Sequence, residues 1–377
     1  MQGYDQILPD PARGVVHCRH WRLNPTQRRF LLKTAKLYGV RDVRIEDMPD
    51  AAPGPGELLL DVAAVGVCGS DLHTYLHYQI GSDVPGDAII LGHEAAGVVR
   101  EIGAGVEGFH VGQKVAIDPA VPCQRCEFCV KGDPNLCTNL IFLGLWPHHG
   151  AMRERMVHPA RSCVPLPDSI SDVAGALLEP LGVALHAISL AHIGLGDDVA
   201  VIGCGAIGLM LIRLARLAGA RHIYASDRHP WRLALASTYG ADTVYHTDQV
   251  DVVAEVRKAT GGRGVDIAIE SAWVAETANQ CVSIARNGGC VVIVGIPVEE
   301  YITLNGSVTR RKGLTIKMSR RMKHTYPQAI PLVASGQVAL DPLASHRFSL
   351  DQTGKALEIA ATYTDGVVRA MVLPNQG

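Results

Sequence analysis

The chain has 377 residues, 47% of them hydrophobic and 19% charged, with a formal charge of −2 at pH 7. That length buries a full core and has room for two domains. No basic block marks a nucleic-acid partner, and no run of about 18 uninterrupted apolar residues marks a membrane span.

Residues 1–31 differ from the rest of the chain. "MQGYDQILPDPARGVVHCRHWRLNPTQRRF" mixes Pro, Arg, His and Gln without a steady period and lacks the apolar run of a secretory signal. It reads as a leader outside the core, and three readings stand for it: disorder, an oligomerisation arm, or a start upstream of the fold. Without a signal, a reducing cytoplasm is expected. From Leu32 to about residue 165, runs such as "LLLDVAAVGVCGSDLH", "AAGVVREIGAGV" and "GQKVAID" are punctuated by Gly and Pro. This is the pattern of a β-rich, barrel-like domain. No linker, repeat or low-complexity tract interrupts the chain.

Within that domain "CQRCEFCVKGDPNLC" holds Cys123, Cys126, Cys129 and Cys137. In a reducing compartment clustered cysteines favour a metal over disulfides. Four thiolates complete the tetrahedral shell of zinc and leave no position for substrate or water. The cluster therefore predicts a structural staple, and the chemistry must lie elsewhere. A redox pair needs one CxxC rather than a ladder; an iron–sulfur cluster stands as the alternative on spacing. Most of the other six cysteines read as small packed hydrophobes.

An open metal shell is offered by two glycine-flanked turns. Cys68 ends an apolar strand in "GVCGSDLH", and His93 and Glu94 sit in "LGHE". A thiolate, an imidazole and a carboxylate leave room for an oxygen ligand. Glu179, in "LLEPLG", is a further carboxylate, and an acid in an apolar run is costly without a partner.

After about residue 186 strands alternate with helices, which implies a parallel sheet with crossover helices. "DVAVIGCGAIGLMLIRLARLAGARHIYASD" is strand, glycine turn, helix, strand, with Gly203, Gly205 and Gly208 at GxGxxG spacing and Asp227 19 residues past Gly208. The glycines permit the tight turn, the approach of a pyrophosphate and close helix–strand packing. The helix N-terminus offers free amides to the phosphates. Asp227 suits the adenosine ribose hydroxyls and opposes a 2′-phosphate, which favours NAD over NADP, although Arg228 beside it acts against that choice.

These residues together resemble the zinc-dependent medium-chain dehydrogenase/reductase family. The matches run in order: "GVCGSDLH", "GHEAAGVV", the CxxCxxCx₇C lobe, "EPLGVALHA" and "GCGAIGL". Within the family the likeness is to sorbitol and other polyol dehydrogenases. The resemblance implies a GroES-like β-rich catalytic domain (residues 32–186, completed by 322–377) and a doubly wound Rossmann domain (187–321). It implies that Cys68 and His93 are zinc ligands, with Glu94 or Glu179 as the carboxylate. Ser70 and His73 would form a proton relay, and Asp71 would orient His93. Asp227 and Arg232 would contact the adenosine ribose, with Ile207, Val294 and Gly295 also lining the cofactor. Arg321 would lie near nicotinamide and substrate. The expected reaction is hydride transfer between a secondary alcohol, foremost a polyol, and NAD. Threonine, butanediol or a simple secondary alcohol are the rival substrates, and a non-catalytic dinucleotide- or zinc-binding scaffold is the rival class. A homodimer or homotetramer is the family habit, with the strand "GGCVVIVGI" and the segment after it as a candidate edge. The sequence departs at Met322, where the resemblance leads to Tyr.

Overall fold

A computed structural model describes residues 31–81, 83–272, 274–296 and 301–376. The leader, apart from its last residue, lies outside them.

Two large sheets carry the architecture. A seven-stranded sheet runs His346–Ser349, Ala370–Leu373, Glu57–Gly66, Glu94–Ile102, Lys114–Ile117 and Cys163–Pro165 in spatial order, with Arg155–Pro159 also paired to Glu57–Gly66. The strand Glu57–Gly66, "ELLLDVAAVG", is buried along most of its length and pairs with three neighbours. One neighbour is the last strand of the chain, through Met371↔Gly66 and Val372↔Val65. The chain end thus returns to the first sheet and brings Arg369 beside Cys68.

The second sheet has six parallel strands in the order Thr243–His246, His222–Asp227, Asp198–Ile202, Val265–Glu270, Ala285–Ile293 and Thr315–Met318. Its central strands read as continuous apolar runs because helices cover both faces. Strand order reverses beside Asp198–Ile202, which opens a crevice at the carboxyl ends of the strands. "GGCVVIVGI" lies inside this sheet, paired on both sides. One of the two edge strands is Thr315–Met318, in the segment after it, and the other is Thr243–His246.

The helix Asp172–Ala191 joins the two sheets. Ser171 caps it, its hydroxyl accepting from the Ala174 amide at 3.0 Å. By length and composition it could cross a bilayer, yet 67% of its most apolar window is buried inside the protein. One apolar cluster runs through it from Ala64 and Ala96 of the first sheet to Val199 and Ile267 of the second. It is a core helix, and it carries Glu179 into the space between the sheets.

Candidate active site

Strand ends and turns bring the expected open shell together. Cys68 is the N-cap of the helix Gly69–His77, and Asp71 at its third position accepts the Cys68 amide at 2.9 Å. The other oxygen of Asp71 accepts the Gly92 amide at 3.1 Å and lies 3.5 Å from His93 Nδ1. One carboxylate therefore ties the two turns and faces the imidazole. Donor atoms of Cys68, His93 and Glu94 lie within 4.8 Å of one another. Glu179 falls outside that group. It is buried, with Arg321 Nη2 3.7 Å away, and burial pushes its carboxyl up to about 7.

This donor set fits a divalent metal. Glu94 Oε2 is buried without a hydrogen-bond partner, a costly state unless something binds there, while Asp71 faces His93 Nδ1 and leaves Nε2 as the ring nitrogen for a metal. Burial opposes a proton on His93, yet the charges of Asp71 and Cys68 outweigh it and raise the imidazole pKa. The pocket thus attracts positive charge. A thiolate, an imidazole and a carboxylate are ligands of catalytic zinc. Cys123, Cys126, Cys129 and Cys137 form a second group with the same spread of donor atoms. There Cys126 Sγ is 3.5 Å from Cys129 Sγ and the Cys123 amide donates to Cys137 Sγ, a shell composed only of soft donors.

Ser70 and His73 lie on the helix that Cys68 begins. Ser70 Oγ is 3.5 Å from His93 Nε2, and His73 Nε2 is 3.3 Å from the carbonyl of Ile296. Burial lowers the pKa of His73, so its ring is neutral near pH 7.

On the dinucleotide side, Gly203 has φ of +97°, and a Cβ on Gly208 would sit 1.8 Å from the Gly203 carbonyl oxygen. Only glycine permits that turn and that packing. Gly205 caps the helix Ala206–Leu217, whose first turn holds Ile207. Asp227 ends its strand and accepts the amides of Cys204 at 2.8 Å and His229 at 2.9 Å. Arg232 Nη1 is 3.8 Å from Asp227, and its guanidinium lies 4.9 Å from the Tyr363 ring centre. Val294 and Gly295 follow the strand Ala285–Ile293 in the same crevice. Arg321 Nη2 reaches Asp118 Oδ1 at 3.1 Å, and its guanidinium lies 4.8 Å from the Phe142 ring centre. Phe142 in turn lies 5.3 Å from the His93 ring.

Sequence reasoning missed four groups. Arg369 is buried, donates to the Val67 carbonyl at 2.6 Å and lies 3.3 Å from Glu94 Oε1. Glu270 is a buried acid at a strand end that accepts the amides of Ala272 and Gly295 and the hydroxyl of Thr277. It fastens the two loops that border the crevice. Asp118 is the hydrogen-bonded partner of Arg321. Gly66 makes room for Glu94, since a Cβ there would lie 2.2 Å from Glu94 Oε2. The available signal was weak: a glycine closing an apolar strand, and single charges in apolar runs. Met322, where Tyr was expected, is buried, and a Cβ on Gly182 of the core helix would meet its sulfur at 2.4 Å.

Two family profiles match the chain: "Alcohol dehydrogenase GroES-like domain" over residues 54–168 and "Zinc-binding dehydrogenase" over residues 206–335. A sorbitol dehydrogenase from Bacillus subtilis (strain 168) is 36% identical over 345 residues, 92% of this chain and 98% of the relative. An L-idonate 5-dehydrogenase from Vitis vinifera is 33% identical over 84% of this chain and 88% of the relative. The crystal structure of 2R,3R-butanediol dehydrogenase from Bacillus subtilis superposes with a TM-score of 0.83 at 32% identity, covering 91% of this chain and 100% of that one. The chain belongs to the zinc-dependent medium-chain dehydrogenase family, as a sorbitol/polyol dehydrogenase-like member.

Proposed function

We propose that this zinc-dependent alcohol/polyol dehydrogenase oxidises a secondary alcohol of a polyol at Cys68, His93 and Glu94, with hydride passing to NAD. The convergence of those three donors, with Glu94 Oε2 buried and unpartnered, carries the proposal. Zinc supplies Lewis acidity toward an alcohol oxygen when bound there, and the nicotinamide supplies the hydride acceptor. Asp71 holds His93 in orientation. Arg369 balances the charge of Glu94, which favours Glu94 over Glu179 as the carboxylate ligand. Ser70 and the neutral His73 take the hydroxyl proton outward. Arg321 holds its charge against Asp118 and Glu179 beside the crevice.

The cofactor side supports NAD over NADP. Both oxygens of Asp227 are held by backbone amides, so its negative charge is fixed at the end of its strand, where it would oppose a 2′-phosphate. The relatives' names support a polyol. Threonine and 2,3-butanediol are the rivals, and rates with NAD on sorbitol, xylitol, galactitol, threonine and 2,3-butanediol discriminate among them. Cys68→Ser is expected to lose about half the zinc and all activity while still binding NAD. Full activity in that variant contradicts the proposal.

We further infer two units, residues 32–186 with 322–377 and residues 187–321. The edge strand Thr315–Met318, whose Met318 is 62% exposed, supports edge-to-edge pairing in a homodimer or homotetramer. Light scattering reads that mass directly.

A further inference from the structure

The segment that presents Arg321 has little support of its own. Residues 319–325 belong to no strand or helix. Arg321 and His324 both take left-handed backbone, with φ of +54° and +50°, a conformation that side chains other than glycine rarely adopt. Yet the Arg321 guanidinium is 12% exposed and spans Asp118 and Glu179. Something must hold this loop against those acids.

The Ser319 amide donates to the Ile293 carbonyl at 2.8 Å, and Met322 is buried beside Gly182 of the core helix; the polar contacts nearest Arg321 on either side come from the four-thiol lobe. Asn135 is buried two residues before Cys137, and its Nδ2 donates to the Arg320 carbonyl at 3.0 Å. Asp133 pairs with Lys323. The two contacts flank Arg321, one on each side. Phe142, five residues past Cys137, supplies the ring under the guanidinium. The thiols gather residues 123–137 into one turn, so they fix where Asp133 and Asn135 point.

We propose that the four-thiol lobe is a positioning device for the active site: Asn135 and Asp133 hold residues 320–323 so that Arg321 faces Asp118, Glu179 and the bound nicotinamide and substrate. This rests on the reading that Arg321 serves nicotinamide and substrate. The lobe metal then acts on catalysis through geometry, although its shell admits no substrate. Asn135 and Asp133 are positioning residues, because their side chains bond to Arg320 and Lys323 and to none of the open-shell donors.

The test compares Asn135→Ala, Arg321→Ala and the double variant. The readouts are the Kd for NADH by fluorescence titration, the KM for the best polyol, zinc per chain and the thermal midpoint. Arg321→Ala is expected to raise Kd and KM about tenfold, as loss of a charge-assisted hydrogen bond does. Asn135→Ala is expected to raise both about threefold or more at full zinc content, and the double variant to match Arg321→Ala alone. Additive effects in the double variant overturn the clamp. So does an Asn135→Ala protein with unchanged Kd and KM, or with only a lower thermal midpoint, while Arg321→Ala is impaired. If Arg321→Ala itself changes neither constant, the reading of Arg321 falls and takes the clamp with it. Should Asn135→Ala lose zinc or fail to fold, the half-exposed ion pair gives an independent route. Asp133→Lys and Lys323→Asp singly raise KM, and the two together restore it; failure to restore overturns the proposal.

Discussion

Gly66→Ala probes the metal shell without substituting a ligand. Gly66 and Glu94 are register partners across neighbouring strands. A methyl group on Gly66 would stand 2.2 Å from Glu94 Oε2 and 3.2 Å from Glu94 Cβ. To move from 2.2 Å to an ordinary 3.4 Å contact, the carboxylate oxygen must retreat by about 1.2 Å, against a ligand tolerance of about 0.2 Å. The strands pair tightly on both sides, so the backbone has little room to give. Overpacking of this kind costs about 1–3 kcal/mol, which the fold survives and the metal shell does not. Zinc after dialysis, read by mass spectrometry, is expected to fall from about two to about one per chain, with the NAD-linked rate down about a hundredfold. Gly69→Ala is the control, since a Cβ there meets nothing within 4 Å. A Gly66→Ala enzyme that keeps two zincs and near-normal turnover refutes the placement of Glu94 in the shell.

His158 carries a pH-dependent part of stability. Burial pushes its imidazole down to about 4, and its Nε2 donates to the Asp118 carbonyl at 2.9 Å. The unfolded chain takes up that proton below about pH 6.5, whereas the fold refuses it until about 4. Stability is therefore whole above 6.5 and falls by about 3 kcal/mol as pH drops through that window. The wild-type thermal midpoint should fall more steeply between pH 7 and 5 than that of His158→Gln; parallel slopes contradict this. His73→Ala should lower kcat about a hundredfold at unchanged zinc content, and a rate within twofold of wild type removes His73 from the relay. Asp227→Asn keeps one acceptor oxygen but drops the charge, so the NADP-to-NAD ratio of kcat/KM should rise about tenfold or more. An unmoved ratio shows that Asp227 does not set cofactor choice.

The parts of this site legible in the sequence are those whose chemistry is local. Gly203, Gly205 and Gly208 answer to one turn, and the four lobe cysteines to one loop, so spacing alone exposed them. Cys68 and His93 were legible as turn residues with soft donor atoms, but their meeting depends on strand pairing across the sheet. Arg369 was hidden because its partner Val67 lies 302 positions away, brought close only by the returning last strand. Asn135 and Arg320 are 185 positions apart, and an asparagine in a polar loop carries no signal. Glu270 looked like any acid after an apolar run. Its role comes from two loops that meet only once the parallel sheet has formed. Glu94 and Glu179 were equivalent in the sequence, and register separated them by placing Glu94 opposite Gly66, beside Cys68.

Anomalous diffraction at the zinc edge, from crystals grown with NADH, tests the open metal centre most directly. The account predicts two peaks per chain. One lies among the four lobe thiols, and the other lies about 2.3 Å from Cys68 Sγ and about 2.0–2.1 Å from a ring nitrogen of His93, facing the nicotinamide. A single peak in the thiol lobe, or a second peak away from Cys68 and His93, contradicts it.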